Sequence, residues 1–323
     1  MWFAYLLLPI RQGQLCIIRK TIMTEKTKKK THKNQSISTE SQLNIFRFIT
    51  ILLLGILIVV LVAWAMKYFR EERAAEQYDG LQEQVNNYDF SNDIVQETET
   101  ETEQIDILTQ LGIEVPDKNL DWDSLHAMNP DIYAWIYIPN TNVDYPILQH
   151  PSEDNYYLEH NLDGSKGYPG CIYTQSQNRK DFSDFNTVIY GHNMKNGSMF
   201  RSLHYFEDAD FFEQNPYAYI YTEQGALVYH IYAAYETDNS HILNTNDFTS
   251  EEGINAYLEK AYAAKSWNGN YRDGVEICAQ NRIITLSTCV SGKASKRYVV
   301  QGVLINAPYT DGAQTLETQA EEN

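Results

Sequence analysis

The chain has 323 residues, 43% apolar and 21% charged, enough for a sizeable core in one large domain or two ordinary ones plus appendages. A net charge of -18 excludes a general nucleic-acid binder, because phosphates would be repelled, and an aromatic content of 13% excludes a disordered chain. Four cysteines exclude a disulfide scaffold.

The charge is unevenly spread. Residues 1–67 hold 10 Lys and Arg against 2 Asp and Glu, a net of +8; residues 68–323 hold 15 against 41, a net of -26. One basic end and one acidic body suggest two compartments. Residues 1–22 precede Met23-Thr24-Glu25-Lys26, which reads as an ordinary translation start. The expectation is that residues 1–22 are an upstream mis-start and that residues 23–47 form a basic cytoplasmic stub.

Residues 48–66, FITILLLGILIVVLVAWAM, carry no charge and one hydroxyl, Thr50. As a helix rising about 1.5 Å per residue they would be roughly 28 Å long, close to the thickness of a bilayer's hydrocarbon core. A buried core helix would keep a polar stripe, and this segment has none, so it reads as a transmembrane helix. Trp64 and Tyr68 sit where an interfacial aromatic belt would. Lys26, Lys28, Lys29, Lys30, Lys33 and Arg47 precede it; Lys67, Arg70 and Arg73 follow, interleaved with Glu71, Glu72 and Glu76. That bias puts the N-terminus in the cytoplasm and residues 68–323 outside, as a single-pass membrane protein. Ala63-Trp64-Ala65 is a poor cleavage site, which favours an uncleaved anchor over a signal peptide.

Residues 67–116 read as a stalk helix followed by an acidic, solvated linker that contains a Glu-Thr repeat at 97–103. A folded catalytic domain is expected over 117–309. Its short strands, rich in Tyr, Ile and Val, are expected at 133–138, 143–149, 170–173, 187–190, 218–222, 226–235, 282–287 and 297–305, with Asn and Gly turns between them. Thr249-Ser250-Glu251-Glu252 reads as the start of a helix. Many short strands with one or two helices point to a closed barrel or a sandwich. Residues 310–323 read as an acidic disordered tail.

Three residues could carry chemistry. Cys289 ends the apolar run Ile283-Ile284-Thr285-Leu286-Ser287-Thr288 and meets a Val-Ser-Gly-Lys turn, where a thiol can reach solvent. Lys293, Lys296 and Arg297 follow, and positive charge favours the nucleophilic thiolate. His192 follows the run Thr187-Val188-Ile189-Tyr190 and Gly191, so it too sits at a strand end. The histidines His126, His150, His160, His204, His230 and His241 offer no comparable setting, and His32 is on the cytoplasmic side. A strand-end Cys with a strand-end His is the minimum constellation for acyl transfer through a thioester. Arg297 opens the next strand, where a guanidinium could stabilise an oxyanion. No CxxC, HExxH or phosphate-loop spacing occurs, so no metal and no cofactor is expected. Cys171 and Cys278 lie in apolar, strand-like runs and are expected as buried free thiols, with a disulfide between them left open.

Read together, these pieces resemble a sortase, and within that family a class B sortase. The T-L-x-T-C signature is here Thr285-Leu286-Ser287-Thr288-Cys289, and the G-H motif is the longer form Tyr190-Gly191-His192-Asn193-Met194, then Gly197-Ser198-Met199-Phe200. The strand after the Cys loop begins Arg297-Tyr298-Val299-Val300-Gln301-Gly302. Upstream, Asn129-Pro130-Asp131-Ile132-Tyr133-Ala134-Trp135, Tyr145-Pro146-Ile147-Leu148-Gln149 and Asp154-Asn155-Tyr156-Tyr157-Leu158 fit the same class.

The resemblance implies a mainly β fold: a closed eight-stranded β-barrel with flanking helices, one of them near 249–265. It implies a cysteine transpeptidase of Gram-positive cell-wall anchoring. Cys289 would attack a Thr carbonyl in the C-terminal sorting motif of a surface protein, His192 would move the protons and Arg297 would bind substrate and oxyanion. The thioester would then pass to a peptidoglycan precursor amine. Tyr190, Ser287, Thr288, Asn155 and Leu158 would line the substrate groove. Only eight positions separate Cys289 from Arg297, a short loop for the family, and Lys296 is an adjacent rival cation. The alternatives are a pilin-polymerising sortase, a thiol endopeptidase with water as acceptor, and a membrane-tethered binding module without turnover. The class C lid of Asp-Pro-aromatic type is not matched, since Asp121-Trp122 lacks the proline.

Overall fold

The structure is a computed structural model that describes residues 39–86, 107–263 and 269–306. The mis-start, the Lys-rich part of the stub, most of the acidic linker and the tail lie outside the described residues. The chain divides into two compact units, Met1–Ala65 and Met66–Asn323.

One long helix, α1 (Thr39–Asn86), runs through the apolar segment and into the acidic body. Over residues 42–64 its side chains are exposed all round, Phe46, Ile51, Leu53 and Val59 among them. Within residues 48–66 the one hydroxyl, Thr50 Oγ1, donates to the Phe46 carbonyl at 2.9 Å. The helix is long and apolar enough to cross a membrane.

In the second unit α1 changes character. Ala74, Tyr78, Leu81 and Val85 are buried, spaced four, three and four residues apart, which puts them on one helix face. That face packs on the barrel. Tyr78 donates to the Gly170 carbonyl at 2.9 Å and meets the Tyr145 ring edge-on at 5.4 Å. Gln82 donates to the Asp144 carbonyl at 2.7 Å. Asp144 also accepts from Trp135 Nε1 at 2.6 Å and pairs with Lys118 at 2.8 Å. The segment read as a stalk is therefore docked on the β domain through its second half.

The strands are β1 (Ile132–Tyr137), β2 (Asp144–Leu148), β3 (Ile172–Thr174), β4 (Asn186–Tyr190), β5 (Tyr217–Thr222), β6 (Gly225–Asp238), β7 (Asn270–Tyr271), β8 (Ile283–Val290) and β9 (Lys293–Leu304). The sheet order is β5-β1-β2-β3-β4-β8-β9-β6-β7, and β5 also pairs with β6. That pairing closes an eight-stranded barrel, with the two-residue β7 as an outer rung on β6. Closure removes the open edges that would otherwise invite another chain. Trp135, Ile136, Ile147, Ile189, Phe200 and Leu286 are among the side chains fully buried in the core.

A second core lies outside the barrel wall. Helix α2 of this wall, Glu251–Ala263, lays Ile254, Tyr257 and Leu258 against Tyr235, Ile283, Val299 and Val303. Its start follows the expected signal, with Ser250 Oγ accepting from Gly253 N at 3.1 Å. A buried polar chain joins helix to wall: Tyr232 and Tyr235 donate to Gln301 Oε1, and Gln301 Nε2 reaches Tyr257 and Thr285.

Two sequence expectations are corrected here. Cys278 is exposed, not buried, because it falls in an irregular segment ahead of β8, where its thiol meets Asn281. Cys171 is buried as expected, and both are free thiols. The stretch after Cys289 is not a loop up to Arg297; β9 already begins at Lys293, after a tight turn through Gly292 (φ 76°).

Candidate active site

Three neighbouring strands build the site. β4 and β8 are parallel, with Tyr190 opposite Ser287 as their last rung. His192 and Cys289 each lie two residues beyond that rung, so equal offsets on parallel strands bring them out at the same rim. Gly191 N donates to the Ser287 carbonyl at 3.2 Å, and Thr288 Oγ1 donates to the Gly191 carbonyl at 2.8 Å, which ties the two strand ends together. On the other side β8 and β9 are antiparallel, and Cys289 is the Cα partner of Arg297. Paired strands run about 4.8 Å apart, so His, Cys and Arg share one end of the barrel within two strand spacings.

Gly191 is required by space. A Cβ there would stand 2.5 Å from Ile172 Cδ1 and 2.7 Å from the Phe200 ring. The chain can turn from β4 into the His192 loop only because that side chain is missing.

These three residues line one open cleft with Leu158, Tyr173, Tyr190, Gly191, Ser287, Thr288 and Val299. Thr237, Asp238, Asn239, Ser240, His241 and Ile242 close its far wall. Cys289 is a free, exposed thiol, open to an incoming group. His192 Nε2 lies 2.8 Å from the Leu158 carbonyl. A carbonyl can only accept, so Nε2 carries hydrogen and Nδ1 is left for proton exchange. The Tyr168 ring leans on the imidazole at 5.0 Å between centroids.

Arg297 and Lys296 are separated by the alternation of the strand. Lys293 and Lys296 both reach Glu236, at 2.7 and 3.9 Å. Among the described residues Arg297 has no carboxylate partner. Its Nη1 donates to the carbonyls of Lys296 at 2.9 Å and Ala294 at 3.3 Å, which steadies the guanidinium beside Cys289 without neutralising it.

Tyr190 hydroxyl is buried and makes no hydrogen bond among the described residues. Burial, with Asp154 adding to it, pushes the phenol up to about 12, so it remains a donor at any ordinary pH. Of the other residues expected in the groove, Ser287, Thr288 and Leu158 line it. Asn155 stands one layer back, where its Oδ1 accepts from Gln175 at 3.0 Å and from the Tyr173 hydroxyl at 3.4 Å.

Sequence reasoning passed over two histidines that the fold brings here. His241 lines the far wall of the cleft. His204 approaches Cys289 from behind, with Nε2 3.1 Å from the Cys289 carbonyl. No motif marks either residue; the only legible hint for His204 is Glu207 three positions on, on the same short helix. No group of His, Cys, Asp and Glu among the described residues could hold a metal ion.

Comparison with known proteins fits this geometry. A family model described as a sortase domain matches residues 136–305. Sortase B of Listeria monocytogenes is 38% identical over 203 residues, which cover 61% of this chain and 78% of that protein. Among solved structures, Clostridium perfringens sortase B is 32% identical with a TM-score of 0.51, covering 57% of this chain and 99% of that one. The Staphylococcus aureus sortase B–substrate complex is similar in fold, with a TM-score of 0.57 at 21% identity, covering 74% of this chain and all of that one.

Proposed function

We propose, from the premise that this chain belongs to the sortase family of cysteine transpeptidases and is of the class B type, that Cys289, His192 and Arg297 are its catalytic residues. We further propose that it cleaves a C-terminal sorting motif after Thr. The observation that carries this reading is the register: Cys289 opposite Arg297 on one side and level with His192 on the other, in a single cleft.

Those positions support the following chemistry. The Cys289 thiolate adds to the Thr carbonyl carbon, and the electron pair moves onto the carbonyl oxygen. Arg297 stabilises that oxyanion with a donor that stays charged. Collapse breaks the C–N bond, and His192 gives its proton to the leaving amine. The thioester is then attacked by an acceptor amine, whose proton passes to His192 as the Cys289 thiolate leaves. The acceptor is an amine of a peptidoglycan precursor and the donor is a surface protein. Tyr190 supplies a hydrogen bond to the bound peptide, which would satisfy a hydroxyl buried without a partner among the described residues. Ser287, Thr288 and Leu158 shape the groove, and Asn155 supports it through Tyr173. Helix α1 anchors the protein with its basic N-terminal side in the cytoplasm and the cleft outside the cell, where both substrates lie.

The test uses the full chain in detergent micelles with fluorogenic peptides of NPQTN, SPKTG and LPxTG types, with and without an amine acceptor. Cysteine-dependent cleavage with a product mass shifted by the amine is expected. Release of the free acid alone, even with acceptor in excess, would make the protein an endopeptidase. Equal cleavage by Cys289→Ala would remove the proposed nucleophile.

A further inference from the structure

The β8–β9 register slips just past the nucleophile. Cys289 pairs with Arg297, but the next residue, Val290, pairs with Lys293. Regular pairing therefore ends at Cys289, and the parallel pairing with β4 has already ended at Ser287. The nucleophile sits where the sheet stops holding the chain.

Side chains take over at that point. The Cys289 carbonyl accepts from Asn193 Nδ2 at 2.7 Å, and His204 Nε2 lies 3.1 Å from it. Both groups are oriented by further partners. Arg201 Nη1 donates to Asn193 Oδ1 at 3.2 Å, which turns the amide so that its NH2 faces Cys289. His204 Nδ1 lies 2.6 Å from Glu207 Oε1. The carboxylate and the Cys289 carbonyl can both only accept, so the two contacts together put hydrogen on Nδ1 and on Nε2, and Asn193 Nδ2 stands 3.1 Å from Nε2 as the second donor to the same carbonyl. The two residues are three apart on the 3-10 helix Phe200–Glu207, where side chains at that spacing eclipse one another. The imidazole also stacks on Tyr298 at 4.9 Å and 24°, and its side chain is 12% exposed. Asn193 follows His192 directly, so the clamp on the thiol's backbone and the loop carrying the proton-transfer group are one piece. None of Asn193, His204 and Glu207 lines the substrate cleft.

We propose that Asn193 and the His204–Glu207 pair are positioning residues that fix the backbone of Cys289, and through it the thiol, relative to His192. This rests on the reading of Cys289 as nucleophile. A thiol loosened by a fraction of an ångström still meets peptide in the cleft but attacks it less often. The cost therefore falls on turnover and not on binding.

The experiment uses the full chain in detergent micelles, a fluorogenic peptide that the wild type cleaves, and the rate of Cys289 alkylation by iodoacetamide followed by mass. His204→Phe keeps the stack on Tyr298 and removes both hydrogen bonds. It is expected to lower kcat by about tenfold or more, to slow alkylation, and to leave KM within about twofold. His204→Gln, whose amide can still reach the carbonyl, is expected to recover most of the rate. Wild-type kcat in His204→Phe, a loss carried in KM, or His204→Gln as impaired as His204→Phe would each overturn the proposal. Should His204→Phe melt well below the wild type, Glu207→Gln decides, because that side chain is 53% exposed and its exchange leaves the packing alone. A fall in kcat supports the clamp, and an unchanged kcat overturns it. Cys289→Ala separates the two layers. If it is inactive while the His204 variants are fully active, only the clamp fails; if it is active, the nucleophile itself has been misassigned.

Discussion

Cys289 and Arg297 are Cα partners across the antiparallel ladder of β8 and β9, at its last rung before the register slips. Eight positions of sequence are thereby folded into one strand spacing. The guanidinium sits beside the thiol because the hairpin turn is tight, and strand alternation sends Lys296 to Glu236 instead.

This alternation makes the two cations separable by substitution. Arg297→Lys keeps the charge but loses the planar fork, and kcat is expected to fall about 100-fold, the typical loss when one oxyanion donor is removed. Lys296→Ala is expected to leave kcat within about twofold, since its 3.9 Å pair with Glu236 is long and Lys293 holds the same carboxylate at 2.7 Å. Steady-state kinetics on the sorting peptide check both. Equal rates for Arg297→Lys and the wild type would deny Arg297 its oxyanion role.

Tyr190 offers a cleaner separation of binding from stability. Its hydroxyl is buried without a hydrogen-bond partner among the described residues, so Tyr190→Phe removes no hydrogen bond seen there. The melting temperature is expected to hold or rise. KM for the peptide is expected to rise about five- to tenfold, the equivalent of one hydrogen bond of about 1 kcal/mol. Because burial holds the phenol near 12, the difference between the two proteins should not change between pH 6 and 9. A variant with unchanged KM would mean that the peptide passes this hydroxyl by.

Docking of α1 on the barrel depends on a cluster around Asp144. Lys118 Nζ lies 2.8 Å from Asp144 Oδ2 and 3.9 Å from the centre of the Tyr137 ring, with its side chain only 4% exposed. Asn86, the last residue of α1, donates to the same carboxylate oxygen at 2.9 Å. Lys118→Met leaves that carboxylate without its cation and is expected to destabilise the fold by about 3–5 kcal/mol. Adding Asp144→Asn is expected to restore part of the loss. Urea midpoints of the single and double variants test the coupling; simple additivity would show that the two groups do not act as a pair.

His230 gives the fold a pH dependence of definite sign. Burial, reinforced by Arg272 and opposed by Glu213, holds the imidazole below its ordinary value of 6.5. The unfolded chain therefore takes up a proton more readily than the folded one. The stabilising contribution is present above about pH 6.5 and is lost as pH falls through the folded value. His230→Gln is expected to lose less stability than the wild type between pH 7.5 and 5.5, measured as urea midpoints. A larger loss in the variant would reverse the sign and refute the assignment.

Local chemistry made much of this molecule readable from the chain alone. The apolar part of α1 was legible as a helix because residues 48–66 carry neither a charge nor a polar stripe. The eight barrel strands were legible to within a few residues because Tyr, Ile and Val runs between Asn and Gly turns behave alike in most settings. β9 was the exception at its start: Lys293, Ala294, Ser295 and Lys296 carry no strand signal, and it is pairing with β6 and β8 that makes them extended. Cys278 went wrong for a related reason, since an apolar neighbourhood in sequence does not ensure a covered one in space.

The amino-acid sequence by itself determined the kind of chemistry available: an exposed strand-end thiol, a strand-end imidazole and a guanidinium, behind an apolar helix. Those properties reside in residue types and short spacings. The tertiary structure alone decided which groups meet. The parallel register of β4 and β8 sets His192 level with Cys289, and the slip in β8–β9 leaves the Cys289 carbonyl to Asn193 and His204. His204 lies 85 positions from Cys289 along the chain. No local pattern encodes such a contact, because it is produced by the closing of the barrel and not by any property of the residues between.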